Sequence, residues 1–154
     1  MAVAVGQPAP DFTLKDQAGN DVSLADYKGK QPVVVVFYPF TFTGVCQGEL
    51  CEIRDDPSTF EDAGAAVVAI SCDTRHAQAQ WAEQQGFTFP VLSDFWPHGE
   101  VAKAYGVFNE KLGCANRASF VIDKEGKVVE TFESANLATP RARAEYEAAL
   151  AKVA

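Results

Sequence analysis

The sequence predicts an α/β domain of three layers, with a mixed central sheet between helices. Three observations lead there. Residues 33–38 read VVVVFY, an unbroken β-branched and aromatic run of the kind found in a strand buried on both faces, where central strands of α/β sheets lie. Strand and helix patterns then alternate through the middle of the chain, as βαβ units do. Hairpin patterns stand near both ends and bring antiparallel pairs into the same sheet.

In chain order, the segment DFTLKDQAGNDVSL reads as two short strands around Gly19 and Asn20, a hairpin at the edge of the domain. VVVVFY follows Pro32 and stops at Pro39. From Cys46 onward, Leu50 and Ile53 stand three apart among polar residues, a helical spacing, and Pro57 is expected to interrupt or kink that helix near residue 56. AAVVAISC is the next strand, AQAQWAEQQ a helix closing at Gly86, FPVLSD a short strand and HGEVAKAYGV another short helix. ASFVID and KVVETFE form a hairpin around Lys124, Glu125 and Gly126. PRARAEYEAALAKVA then makes an amphipathic terminal helix with Pro140 in its first turn. No repeat, linker or low-complexity segment divides the chain, so one domain over residues 1–154 is expected. A chain of this length buries roughly 70% of its unfolded surface, enough for a core without a staple.

Composition narrows the function classes. The hydrophobic fraction of 47% and charged fraction of 22% are those of an ordinary globular protein. An excess of 21 acidic over 13 basic residues, net charge -8, opposes general binding to nucleic acid or anionic lipid. The opening MAVAVGQPAPDF has no charged and apolar leader pattern, and VVVVFY is far too short to cross a bilayer, so a cytoplasmic protein with no membrane partner is expected. The cysteines Cys46, Cys51, Cys72 and Cys114 include no C-x-x-C pair, and His76 and His98 have no ligand-spaced partners. Neither a zinc site nor a small disulfide framework is indicated, which leaves reactive or merely buried thiols.

The segment PFTFTGVC between the buried strand and the following helix puts the Cys46 thiol at a helix start. Free backbone N–H groups and the positive end of the helix dipole favour an anion there, and the thiolate is the nucleophilic form of cysteine. Thr43, three residues earlier, offers a hydroxyl for the sulfur or an incoming oxygen, and it also suits a helix cap. Arg117, beside the strand ASFVID, is the candidate guanidinium for stabilising a leaving oxygen as its charge develops. Pro39 lacks an N–H and can wall the sulfur from bulk water. Cys72 and Cys114 read as small buried hydrophobes.

The spacing Pro39-x-x-x-Thr43-x-x-Cys46 resembles the peroxiredoxin signature. GQPAPDFTL, FYPFTFTGVCQGEL, GFTFPVLSDFWPHGEVAKAYGVFNE and ANRASFVID are similar to the alkyl hydroperoxide reductase E group of that family. The resemblance covers nearly the whole chain and implies a thioredoxin-like fold, with Cys46 attacking the O–O bond and Pro39, Thr43 and Arg117 around it. It also implies that Glu49 orients the arginine. The substrates implied are hydrogen peroxide, organic hydroperoxides and peroxynitrite. Reduction is implied to come from an external thiol such as thioredoxin, a glutaredoxin-like protein or a low-molecular-weight thiol. No metal, haem or flavin is implied, and the family suggests a homodimer. One departure is Cys51, because Cys46-x-x-x-x-Cys51 resembles the bacterioferritin comigratory, or Q-type, peroxiredoxins, in which the second cysteine resolves the sulfenic acid. A dithiol–disulfide oxidoreductase would need a cysteine where Thr43 stands. A peroxide-sensing thiol switch or binding module without turnover stays open on sequence alone.

Overall fold

The computed structural model describes residues 2–154. Strands β1 (Thr13–Lys15) and β2 (Asp21–Ser23) form the expected edge hairpin, with Leu14 opposite Val22. Between them the Asp16 carboxylate accepts the Ala18 and Asn20 amides, and Gly19, at φ 86°, closes the turn. Strand β3 (Val33–Phe37) is buried at every residue, as its composition requires. The chain continues through α1 (Gly44–Asp55), α2 (Ser58–Glu61), β4 (Ala66–Ser71), α3 (Arg75–Gln85) and β5 (Val91–Ser93). It ends with α4 (Glu100–Ala104), β6 (Phe108–Asn109), β7 (Cys114–Ala115), β8 (Ala118–Ile122), β9 (Val128–Glu133) and α5 (Arg143–Leu150).

Seven strands form one mixed sheet in the order β2-β1-β5-β4-β3-β8-β9. Strands β3, β4 and β5 run parallel, while β1, β8 and β9 join antiparallel. The alternation of side chains along β3 divides the interior. Val33, Val35 and Phe37 face a layer containing Ala102, Tyr105, Val107 and Phe120. Val34 and Val36 face Leu50 and Ile53 of α1, Trp81 of α3 and Tyr146 and Leu150 of α5. This is the three-layer α/β arrangement the sequence predicts.

Local signals hold where one residue decides. Gly86 ends α3 at φ 69°, a left-handed cap glycine takes without strain. Asp56 takes φ −133° and ψ 63°, out of the helical region that a following proline disfavours, so α1 stops and α2 starts after Pro57. One expectation needs correction. The terminal helix does not include Pro140 in its first turn, because α5 begins at Arg143 and residues 140–142 approach it in non-helical form. The cause is Arg141, whose backbone amide and side chain are drawn inward by Glu49. The small hairpin β6–β7 is additional. Its two-residue strands are too short to show periodicity.

Candidate active site

The site forms where β3 gives way to α1. After Phe37 the chain passes buried Tyr38 and Pro39 and enters an irregular loop, in which Phe42 adopts φ 66°. Thr43, extended at φ −114° and ψ 150°, is the N-cap of α1, and its carbonyl accepts the Gln47 amide at 2.9 Å. Cys46 is therefore in the first turn, where amides lack intrahelical acceptors. It is 1% exposed.

Arg117 comes from the sheet. Strands β3 and β8 are antiparallel with Val36 opposite Ser119, so the residue preceding β8 lies beside the end of β3. Its Nη1 donates to Cys46 Sγ at 3.3 Å and to Glu49 Oε1 at 2.5 Å. Nε and Nη2 donate to the Leu137 carbonyl at 3.2 and 2.6 Å, fixing the plane of the guanidinium. Glu49 stands three residues after Cys46 and shares its helix face. The structure thus brings Cys46, Glu49 and Arg117 together, with Pro39 buried at the end of β3 seven residues before the sulfur. Thr43 is exposed, and its hydroxyl donates to the Phe40 carbonyl at 2.6 Å rather than to the sulfur.

Sequence reasoning missed Arg141. Its Nε donates to Glu49 Oε2 and its Nη2 to Glu49 Oε1, both at 2.9 Å, and its own amide adds a bond of 2.7 Å to Oε2. Nη1 donates to the carbonyls of Phe37 and Ala118 and to Ser119 Oγ, which pairs with the Tyr146 hydroxyl. Nothing in PRAR distinguished this arginine from Arg143. Arg143 points outward to Asp56 and Glu147. Two buried guanidiniums thus face one buried carboxylate.

Burial pushes the Glu49 carboxyl up, but the hydrogen bonds and charge of Arg141, joined by Arg117, outweigh it and hold the carboxyl below its ordinary value of 4.5. A depressed carboxyl contributes stability that is fully present above its ordinary value and is lost as pH falls through the folded value. Glu49→Gln is expected to cost about 3 kcal/mol at pH 7, because two buried arginines lose their counter-charge. Urea unfolding across pH should show the wild-type and variant stabilities converging below pH 4.5. Parallel curves would assign the carboxylate no such role.

The other cysteines are less engaged. Cys51, half-buried in α1, points its sulfur at Gln85 Oε1, 3.6 Å away. Burial pushes the Cys72 thiol up to about 12 and the Cys114 thiol to about 11, values that leave negligible thiolate at neutral pH. Among the described residues no group of three or more His, Cys, Asp or Glu side chains could hold a metal ion, and no helix is long and apolar enough to cross a membrane.

Known proteins share both the sequence and this arrangement of strands and helices. Residues 5–131 match the AhpC/TSA family. Alkyl hydroperoxide reductase E of Mycobacterium tuberculosis is 54% identical over 122 residues, covering 79% of this chain and 80% of that protein. The chloroplastic peroxiredoxin Q of Sedum lineare is 42% identical over 127 residues, covering 82% of this chain and 67% of that one. The crystal structure of peroxidoxin BcpB from Mycobacterium tuberculosis superposes with a TM-score of 0.84 at 35% identity, covering 97% of this chain and 95% of the other. The chain belongs to the AhpC/TSA family and is a peroxiredoxin, a thiol-dependent peroxidase.

Proposed function

We propose that Cys46 is the peroxide-reducing residue and that the protein reduces hydrogen peroxide, organic hydroperoxides and peroxynitrite at the expense of an external thiol. The observation that carries this reading is Arg117 Nη1, shared between Cys46 Sγ at 3.3 Å and Glu49 Oε1 at 2.5 Å. A relative named for alkyl hydroperoxides supports the organic substrates. The thiolate sulfur attacks the terminal peroxide oxygen, the O–O bond breaks, and the remaining oxygen leaves as alkoxide, hydroxide or nitrite, protonated by solvent where its basicity demands. Cys46 is left as sulfenic acid. The N–H donors of Arg117 oppose the negative charge spreading onto both oxygens, while Glu49 and Arg141 hold that guanidinium in place. In this reading buried Pro39 helps keep bulk water from the sulfur, and Thr43, by rotating its hydroxyl away from the Phe40 carbonyl, supplies a further donor to the incoming peroxide.

Cys51 is the candidate resolving cysteine: its sulfur attacks Cys46–SOH, water leaves and a disulfide forms. Both residues lie in the continuous helix α1. Five residues along a helix separate Cα atoms by about 8 to 9 Å, beyond the roughly 7 Å limit of a disulfide. Resolution therefore requires the first turns of α1 to unwind. The far end is less free to move, because Arg54 Nη1 donates to the Gln85 carbonyl at 2.6 Å and Cys51 rests on the same residue.

Peroxide consumption measured against a thiol reductant tests the reading. Many equivalents per protein are expected, whereas consumption of about one equivalent would make the protein a sensor. Peptide mapping after one equivalent of hydrogen peroxide is expected to recover a Cys46–Cys51 disulfide. A persistent sulfenic acid at Cys46 with Cys51 free would assign resolution to the external thiol alone.

A further inference from the structure

The loop of residues 39–43 carries Pro39 and Thr43 and sets where α1 begins, yet it has no regular structure of its own. It also contains a non-glycine residue in the left-handed region, Phe42 at φ 66°. Such a conformation persists only where its surroundings over-determine it. Part of the restraint comes from outside the loop. The Thr41 amide donates to Asp73 Oδ2 at 2.8 Å, and the Thr41 hydroxyl pairs with the buried Tyr38 hydroxyl at 2.8 Å.

Asp73 is itself braced from three elements. Ser71, the last residue of β4, donates its hydroxyl to the same Oδ2 at 2.7 Å. Gln78 of α3, fully buried, donates through Nε2 to Ser71 Oγ and to the Leu92 carbonyl of β5, each at 2.8 Å. Ser93 donates to the Asp73 carbonyl at 2.6 Å. The ordinary role for an aspartate just before a helix is to complement that helix's dipole. Here Thr74 caps α3 by accepting the Ala77 amide, while the bonded oxygen of Asp73 serves the loop. Because Phe37 and Ile70 are opposite in the parallel pair β3–β4, the end of β4 lies beside the start of the loop.

We propose that Asp73 is a positioning residue of the peroxidase site, holding residues 39–43 through the Thr41 amide so that Thr43 and the first turn of α1 present Cys46 to peroxide. This rests on Cys46 being the peroxide-reducing residue. Asp73 touches neither sulfur nor arginine, so it acts by placement, and small misplacements of reacting groups are costly to rate.

The test compares wild type, Asp73→Ala and Asp73→Asn by stopped-flow oxidation with hydrogen peroxide and by hydrogen exchange of the loop. Asp73→Ala is expected to slow Cys46 oxidation about 10-fold, within the range small misplacements produce, and to speed exchange of the Thr41 amide while β4 stays protected. Asp73→Asn keeps an oxygen acceptor and is expected to recover the rate to within about threefold. Oxidation of Asp73→Ala at the wild-type rate would overturn the proposal. So would an Asp73→Asn as slow as Asp73→Ala, which would make charge rather than the loop bond the cause. Should Asp73→Ala not fold, Ser71→Ala removes the hydroxyl that braces the carboxylate. It is expected to slow oxidation about threefold with the same exchange signature, and an unchanged rate and exchange would overturn the proposal. A wild type inert to peroxide would instead defeat the peroxidase assignment, and exchange of the Thr41 amide would still report whether Asp73 holds the loop.

Discussion

Cys46→Ser is expected to abolish peroxide turnover while leaving the fold intact. Serine occupies almost the same volume, so the buried site between α1 and β3 is neither emptied nor overfilled. The chemistry is what disappears. A serine hydroxyl is neutral at physiological pH, and the nearby Glu49 carboxylate, engaged by both arginines and held below its ordinary value, is too weak a base to activate it, whereas the thiolate is a nucleophile in its own right. Consumption of hydrogen peroxide with an excess of thiol reductant, together with circular dichroism of the variant, checks the result. Residual turnover above a few per cent would move the reaction to another cysteine, with half-buried Cys51 the first to examine.

Arg117→Ala is expected to lower the second-order rate of Cys46 oxidation by about 10²-fold or more, the usual consequence of removing a preorganised donor to developing negative charge. Its effect on stability is expected to be smaller than its effect on rate, because Glu49 keeps three hydrogen bonds to Arg141. The reductive half-reaction should be slowed less than the oxidative one, since it does not require the same stabilisation of a departing oxygen. Single-turnover measurement of each half-reaction separates them. Equal losses in both, or an unchanged oxidation rate, would show that the guanidinium near the sulfur serves architecture alone.

Arg143 and Arg141 illustrate how unevenly the sequence discloses this site. Both read as residues of one amphipathic terminal helix, yet one pairs with surface carboxylates and the other is almost fully enclosed. An arginine is ordinarily exposed, and only the demand of a buried Glu49 explains the inversion. Arg117 was legible through the resemblance of ANRASFVID, but what brings it to Cys46, 71 residues away in the chain, is the antiparallel pairing of β3 with β8. The hydroxyl of Thr43, offered by its spacing to the sulfur or to an incoming oxygen, meets the Phe40 carbonyl in this structure, a choice of side-chain rotation that spacing does not encode.

What the sequence by itself determined is the local chemistry of a junction: a continuous β-branched run for a doubly buried strand, a proline to end it, and a threonine and cysteine spaced across a helix start. These are readable because each depends on neighbours within a few residues, through backbone propensity, alternation and capping. Only the tertiary structure decided which charges face the sulfur and what steadies the loop beneath it. Arg117 and Arg141 meet on one carboxylate, and Asp73 reaches Thr41 from the end of β4. Those contacts join segments far apart in the chain, and the pairing of β3 with β4 and β8 brings the supporting strands side by side. A buried charge must find its partner wherever the fold brings one within reach, a requirement that leaves no periodic trace in the sequence.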